Sequence, residues 1–218
     1  MYKYVKRVID ILLTLIGGTI LLPFFAILII AIKIDSKGPV LFKQKRVGKN
    51  KRYFNILKFR TMRIDTPKDI PTHLLENPEQ YITKMGSFLR KTSLDELPQI
   101  WNILFGHMSI IGPRPALWNQ YDLIDERDKY GVNNIRPGLT GWAQINGRDE
   151  LSILDKAKFD GEYVQRMSFR FDCICFLQTI TRILKHEGVV EGGTGNLDTY
   201  KQETAATMEA SAREDESE

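Results

Sequence analysis

Residues 11 to 32 form an apolar run without a single charge, bounded by Asp10 and Lys33. A soluble domain has little use for such a segment. As a helix it would measure about 33 Å at 1.5 Å per residue, close to the hydrocarbon thickness of a bilayer. A secretory leader would carry a shorter apolar core and a small-residue cleavage site, and none follows Lys33. The run therefore reads as a retained membrane element. Pro23 lies at its centre, where it removes a helical donor and breaks or bends the helix. Both flanks are basic: Lys3, Lys6 and Arg7 precede the run, and Lys33, Lys37, Lys43, Lys45 and Arg46 follow it. Positive flanks mark the cytoplasmic side, so both ends qualify for the same face. Two topologies fit. The helix turns at Pro23 and leaves by the face it entered, or it spans once with a kink, which membranes tolerate.

The formal net charge is +4, but residues 203 to 218 carry six acids against Arg213 alone, so the remaining body is +9. That excess points to anionic partners such as nucleotides, phosphates, acidic lipid heads or nucleic acid. Between Asp35 and Asp65 there is no acid and there are ten bases. Within this window residues 40–47 and 52–62 are rich in β-formers and flank Gly48-Lys49-Asn50-Lys51, predicting a β-hairpin. Strict alternation places Phe54, Ile56, Lys58, Arg60 and Met62 on one face, so Lys58 and Arg60 are candidates for binding phosphate. A solvated basic face lying on anionic lipid explains most of the other charges.

Arg90-Lys91-Thr92-Ser93-Leu94-Asp95-Glu96-Leu97-Pro98-Gln99 sets a basic pair, two hydroxyls and two adjacent carboxylates before an apolar run. A carboxylate that attacks a phosphate, or holds a metal beside one, needs such cationic neighbours. Ser93 with Glu96 three residues on also reads as a helix capping box, although Pro98 pushes the helix start later. A helix is expected over 97–106, ended by Gly106. Gly112-Pro113-Arg114-Pro115 is rigid and holds Arg114 with few backbone alternatives, which favours anion binding. Residues 136–148 bring three glycines and a proline together between Arg136 and Arg148, without a Walker-type or GxGxxG spacing. Residues 119–130 and 149–187 read as helical, the latter interrupted near Ser168. Cys173 and Cys175 are too few for a disulfide framework or a zinc site, so core packing in a reducing compartment is expected.

Taken together, the chain resembles the bacterial sugar transferase family, the monotopic phosphoglycosyl transferases. The landmarks fall in family order: residues 39–48 (Pro-Val-Leu-Phe-Lys-Gln-Lys-Arg-Val-Gly), 58–62 (Lys-Phe-Arg-Thr-Met), 90–99, 111–115 (Ile-Gly-Pro-Arg-Pro) and 136–148 (Arg-Pro-Gly-Leu-Thr-Gly-Trp-Ala-Gln-Ile-Asn-Gly-Arg). The resemblance implies transfer of sugar-1-phosphate from a UDP-sugar to polyprenyl phosphate, with release of UMP, at the cytoplasmic face of the bacterial inner membrane. It makes Asp95 the nucleophile of a ping-pong reaction, with Glu96 beside it and Mg²⁺ held by Asp95 and Glu96. Arg90 and Arg114 match family positions that bind phosphate, Asp160 matches a further family acid, and Asp160, Arg136 and Arg148 join them as candidates for binding substrate or phosphate. The family's re-entrant helix breaks at a proline, here Pro23. Relatives often carry serine before it, where this chain has Leu22.

The expected fold is therefore α+β and mostly helical: a monotopic membrane protein with a proline-broken re-entrant helix, a β-hairpin and amphipathic interfacial helices. Residues 1–36 form the re-entrant helix, 37–200 the catalytic domain and 201–218 a disordered acidic tail. Some relatives carry further N-terminal spans, and this chain, beginning at the anchor, is expected to be the minimal form. Expected partners are the UDP-sugar, polyprenyl phosphate, membrane lipids and a second copy of the chain. A membrane-tethered nucleic-acid binder and a silent scaffold are the alternatives. The intact Asp95, Glu96, Arg90 and Arg114 weigh against the scaffold, and nucleic acid is not expected as a partner.

Overall fold

The computed structural model describes residues 2–66, 78–147 and 151–185, and is mostly helical with two small β units. In chain order the elements are α1 (Tyr2–Asp35), β1 (Leu41–Val47), β2 (Tyr53–Phe59), α2 (Lys84–Lys91), α3 (Gln99–Leu104), β3 (Ser109–Ile111), α4 (Tyr121–Asp128), β4 (Gly138–Thr140), α5 (Trp142–Ile145), α6 (Ile153–Arg166) and α7 (Phe169–Lys185). The helix starts at 119, 149 and the break near Ser168 thus fall within a few residues of expectation. The acidic tail lies outside the described residues.

The apolar run becomes the greater part of α1, a single α-helix with Pro23 inside it. Asp10, Thr14, Leu28 and Ile32 are its buried positions. Their spacing keeps one stripe of the helix against the body from its first turns to its last. Leu28 and Ile32 pack with Phe59 and Leu89, and Phe25 meets Phe59 at a ring distance of 5.6 Å. Away from that stripe Leu12, Leu13, Ile16, Ile20, Leu22 and Ile30 are exposed. So large an apolar surface on one helix marks a face made for lipid or another protein.

Both ends of α1 are bolted to the same body. At the start, Asp10 accepts bonds from Ser109 Oγ (2.7 Å) and Ile110 N (3.1 Å) on β3. Lys6 reaches Asp172 of α7 at 2.7 Å, and Arg7 donates to the carbonyls of Ile103 (2.7 Å) and Leu104 (3.0 Å) at the end of α3. At the far end Asp35 Oδ2 accepts from Met85 N at 3.0 Å, in the first turn of α2. Arg60 donates to the Ser36 carbonyl (2.7 Å) and hydroxyl (2.8 Å).

The hairpin has antiparallel register from Leu41↔Phe59 to Val47↔Tyr53. Its turn places Asn50 (φ 54°) and Lys51 (φ 57°) in the left-handed region, which suits a tight reversal between right-twisted strands. Phe54 and Ile56 bury one face against Ile103 and Met108. Full burial of such side chains contributes about 1.5–3 kcal/mol each. A second core joins Ile111, Ile135, Ile145, Tyr163, Phe171 and Cys175, with α6 and α7 folded around a parallel pairing of β3 and β4. Cys173 and Cys175 are both free, and Cys175 is fully buried in this core.

Candidate active site

Asp95 and Glu96 sit on a single 3-10 turn, Leu94–Glu96, wedged between α2 and α3. Pro98 explains the interruption, since it has no N–H to donate to Leu94 O and leaves α3 to begin at Gln99. The helix expected over 97–106 is accordingly shorter, Gln99–Leu104.

The capping box does not form. Ser93 is left-handed (φ 57°, ψ 16°), its side chain caps nothing, and Glu96 turns to cations instead. A non-glycine residue in this conformation costs about 1–2 kcal/mol, so the chain is bent sharply at the residue before the acidic turn. The hydroxyl that does cap here is Thr83, whose Oγ1 accepts from Gly86 N at 2.9 Å to start α2.

Two cations converge on the carboxylates. Lys58 Nζ lies 2.7 Å from Glu96 Oε1 and 3.4 Å from Asp95 Oδ2. It projects from the β2 face that carries Phe54 and Ile56, as strand alternation requires. Arg114 Nη2 lies 3.2 Å from Glu96 Oε1. Asp95 is 9% exposed, and the Arg114 side chain is 32% exposed against 13% for its partner Glu96, so the more solvent-facing cation pairs with the acid beside a nearly buried Asp95. Arg90, in the last turn of α2, is oriented by Nε donating to Thr61 Oγ1 at 2.9 Å. Lys58, Arg114, Asp95 and Glu96 are therefore one cluster, with Arg90 beside its turn.

Three other expected residues are committed elsewhere. Arg60 lies just past the end of β2, and its guanidinium ties down Ser36 and Lys37. Arg136 Nε donates to the Gly106 carbonyl at 2.8 Å and lines a separate cleft with Lys3, Lys6 and Arg7. Asp160 is 1% exposed and accepts two bonds from Arg127, Nε at 2.9 Å and Nη2 at 2.5 Å. Burial pushes its carboxyl upward in pKa, and the Arg127 charge pulls the other way. This is a buried structural pair between α4 and α6. Arg148 lies outside the described residues.

The glycines of 136–148 serve packing rather than a phosphate cradle. A Cβ on Gly138 would stand 2.1 Å from Gly112 N, and one on Gly141 2.0 Å from Gly112 O. Two acids that anchor α1, its own Asp10 and Asp172 of α7, belong to no motif that the sequence singles out. An acid at the very edge of an apolar run, four residues after Lys6, was the available signal for Asp10.

Among the described residues no group of three or more His, Cys, Asp or Glu side chains could hold a metal. The two adjacent carboxylates still suit Mg²⁺, which takes one or two carboxylates and completes its shell with water and substrate phosphate.

Across residues 1–186 the chain matches the model of the family described as "Bacterial sugar transferase". The chain belongs to that family. It is 34% identical over 197 residues to the "Exopolysaccharide production protein ExoY" of Sinorhizobium fredii, covering 84% of this chain and 87% of that one. The "Uncharacterized sugar transferase EpsL" of Bacillus subtilis is 39% identical over 186 residues, covering 84% and 89%. The "UDP-glucose:undecaprenyl-phosphate glucose-1-phosphate transferase" of Escherichia coli is 40% identical over 179 residues, covering 78% of this chain but 38% of its own length. The sugar transferase chain thus spans well under half of the relative whose name states a full reaction.

Proposed function

We propose that this protein transfers sugar-1-phosphate from a UDP-sugar to polyprenyl phosphate, releasing UMP. The observation that carries the reading is the Asp95–Glu96 turn collared by Lys58 and Arg114 in a member of the sugar transferase family. The names of the Escherichia coli relative and of the "Undecaprenyl-phosphate glucose phosphotransferase" of Komagataeibacter xylinus support the donor and acceptor classes.

In the first step an Asp95 carboxylate oxygen attacks the phosphorus that bears the sugar. An O–P bond forms, the bond to the bridging oxygen of the diphosphate breaks, and UMP leaves with that oxygen. In the second step a phosphate oxygen of the lipid attacks the same phosphorus and returns Asp95 as a carboxylate. Dividing the transfer this way spares two anionic substrates from meeting directly. Lys58 neutralises charge beside both carboxylates, and Arg114 and Arg90 bind the phosphates. Mg²⁺, held by Asp95 and Glu96, would supply further charge stabilisation on the phosphoryl oxygens.

The placement is monotopic, at the cytoplasmic face of the inner membrane, with α1, helical through Pro23, dipping in and bending there so that both ends face the same body. Anchors at Asp10 and at Asp35 to one body support this, because a spanning helix would part its ends. Exposed Phe88, Trp101, Phe105, Phe176 and Leu177, on helices bonded to or packed on α1, supply the amphipathic interfacial face. A panel of UDP-sugars assayed for UMP release, with polyprenyl phosphate and with or without EDTA, tests the reading and identifies the sugar. Release from none of them would overturn it, and release undiminished in EDTA would remove the metal.

A further inference from the structure

A basic cleft lies beside the first turns of α1, apart from the acidic turn. Lys3, Lys6, Arg7, Lys49 and Arg136 line it, with Asp10 the only acid among the described residues of the lining. Two of these cations are pinned rather than free-swinging. Arg7 donates to the carbonyls of Ile103 and Leu104, and Arg136 to that of Gly106. The carbonyls of Ile103, Leu104 and Gly106 at the end of α3 thus hold both guanidiniums near Gly106, where a Cβ would lie 3.5 Å from Arg7 Nη2. Asp10 is already occupied by Ser109 and Ile110, and Lys6 by Asp172. No carboxylate in the lining answers Arg7 and Arg136 together.

Two fixed, adjacent guanidiniums flanked by exposed lysines are a receptor for a doubly charged or bidentate oxyanion. The cleft opens four residues before the apolar run begins, which sets it at head-group depth beside the inserted helix. It lies at the opposite end of α3 from Asp95, about 9 Å of helix away at 1.5 Å per residue, so an anion seated here does not occupy the reacting position. We infer that the Lys3–Arg7–Lys49–Arg136 cleft binds the phosphate of an anionic molecule at the membrane surface, as a site separate from Asp95. The chemistry is that of a phosphate ester, whose source is either a phospholipid head group or a free phosphate. The inference does not rest on the transfer reaction.

Native mass spectrometry of the full chain in neutral detergent separates the sources. The probes are short-chain phosphatidylglycerol, phosphatidylcholine and inorganic phosphate. Saturable binding of phosphatidylglycerol, with about ten-fold preference over phosphatidylcholine, assigns the site to a lipid head group. Equal or better binding of inorganic phosphate assigns it to a free phosphate. In either case Lys3→Glu with Lys49→Glu, both exposed positions, weakens binding about ten-fold, whereas Lys129→Glu with Lys158→Glu, the same change in net charge at exposed positions away from the cleft, leaves it within about two-fold. Equal loss in both double variants, or no saturable binding of any phosphate, overturns the inference.

Discussion

Lys58 meets Glu96 at 2.7 Å, and through that contact the β-hairpin is fastened to the turn that carries Asp95. The side chains are 19% and 13% exposed, so the pair is shielded enough for its charge to matter to a neighbouring acid. Lys58→Ala leaves Asp95 and Glu96 facing each other without the cation between them. UMP release is expected to fall about 10²–10³-fold, the range for removing one fixed charge-stabilising donor. Lys58→Arg should retain part of the activity. Wild-type turnover in Lys58→Ala would remove the residue from the site.

Asp160 is expected to stabilise the fold through its pair with Arg127. Asp160→Asn strands the Arg127 charge in the interior, at an expected cost of about 3–5 kcal/mol. Arg127→Leu combined with Asp160→Leu should recover most of the loss in a chemical-denaturation curve. An Asp160→Asn protein that melts normally but has lost activity would return Asp160 to substrate binding.

The two ends of α1 are expected on one side of the membrane. In a background with Cys173→Ser and Cys175→Ala, single cysteines at Lys3 and Lys37 should react with an impermeant maleimide only when the cytoplasmic face is accessible. Labelling of the two positions from opposite faces would establish a spanning helix.

Burial pushes the Cys175 thiol up to about 12, from an ordinary value near 9, with Asp172 adding to the effect. The raised value means its contribution to stability is complete below pH 9 and is lost as pH rises toward 12. Folded protein treated with iodoacetamide at pH 8.5 should therefore carry label on Cys173, which is partly exposed, and not on Cys175. Equal labelling would show that the α7 core opens readily.

Much of this was legible in the residues because local rules govern it. Gly48 to Lys51 reads as a turn between β-formers, and strand alternation puts Lys58 on the face of Phe54 and Ile56, but nothing local in the sequence places the acids opposite it. Arg60, two residues on, bonds instead to Ser36 and Lys37, partners that alternation does not report. The capping box failed because Pro98 prevents the helix that Ser93 would have capped. Asp10 and Asp172 act across 99 and 166 residues of chain respectively, a separation no periodicity reports. The same holds for Arg127, which claims Asp160 from another helix.

Covalent capture of the donor's sugar-phosphate by Asp95 is visible in the absence of the lipid acceptor. Wild-type protein mixed with its UDP-sugar and no polyprenyl phosphate should release UMP in a burst of about one per enzyme, as covalent catalysis requires, and Asp95→Asn should release none. Release that strictly requires the lipid acceptor, or an undiminished burst from Asp95→Asn, would contradict the account.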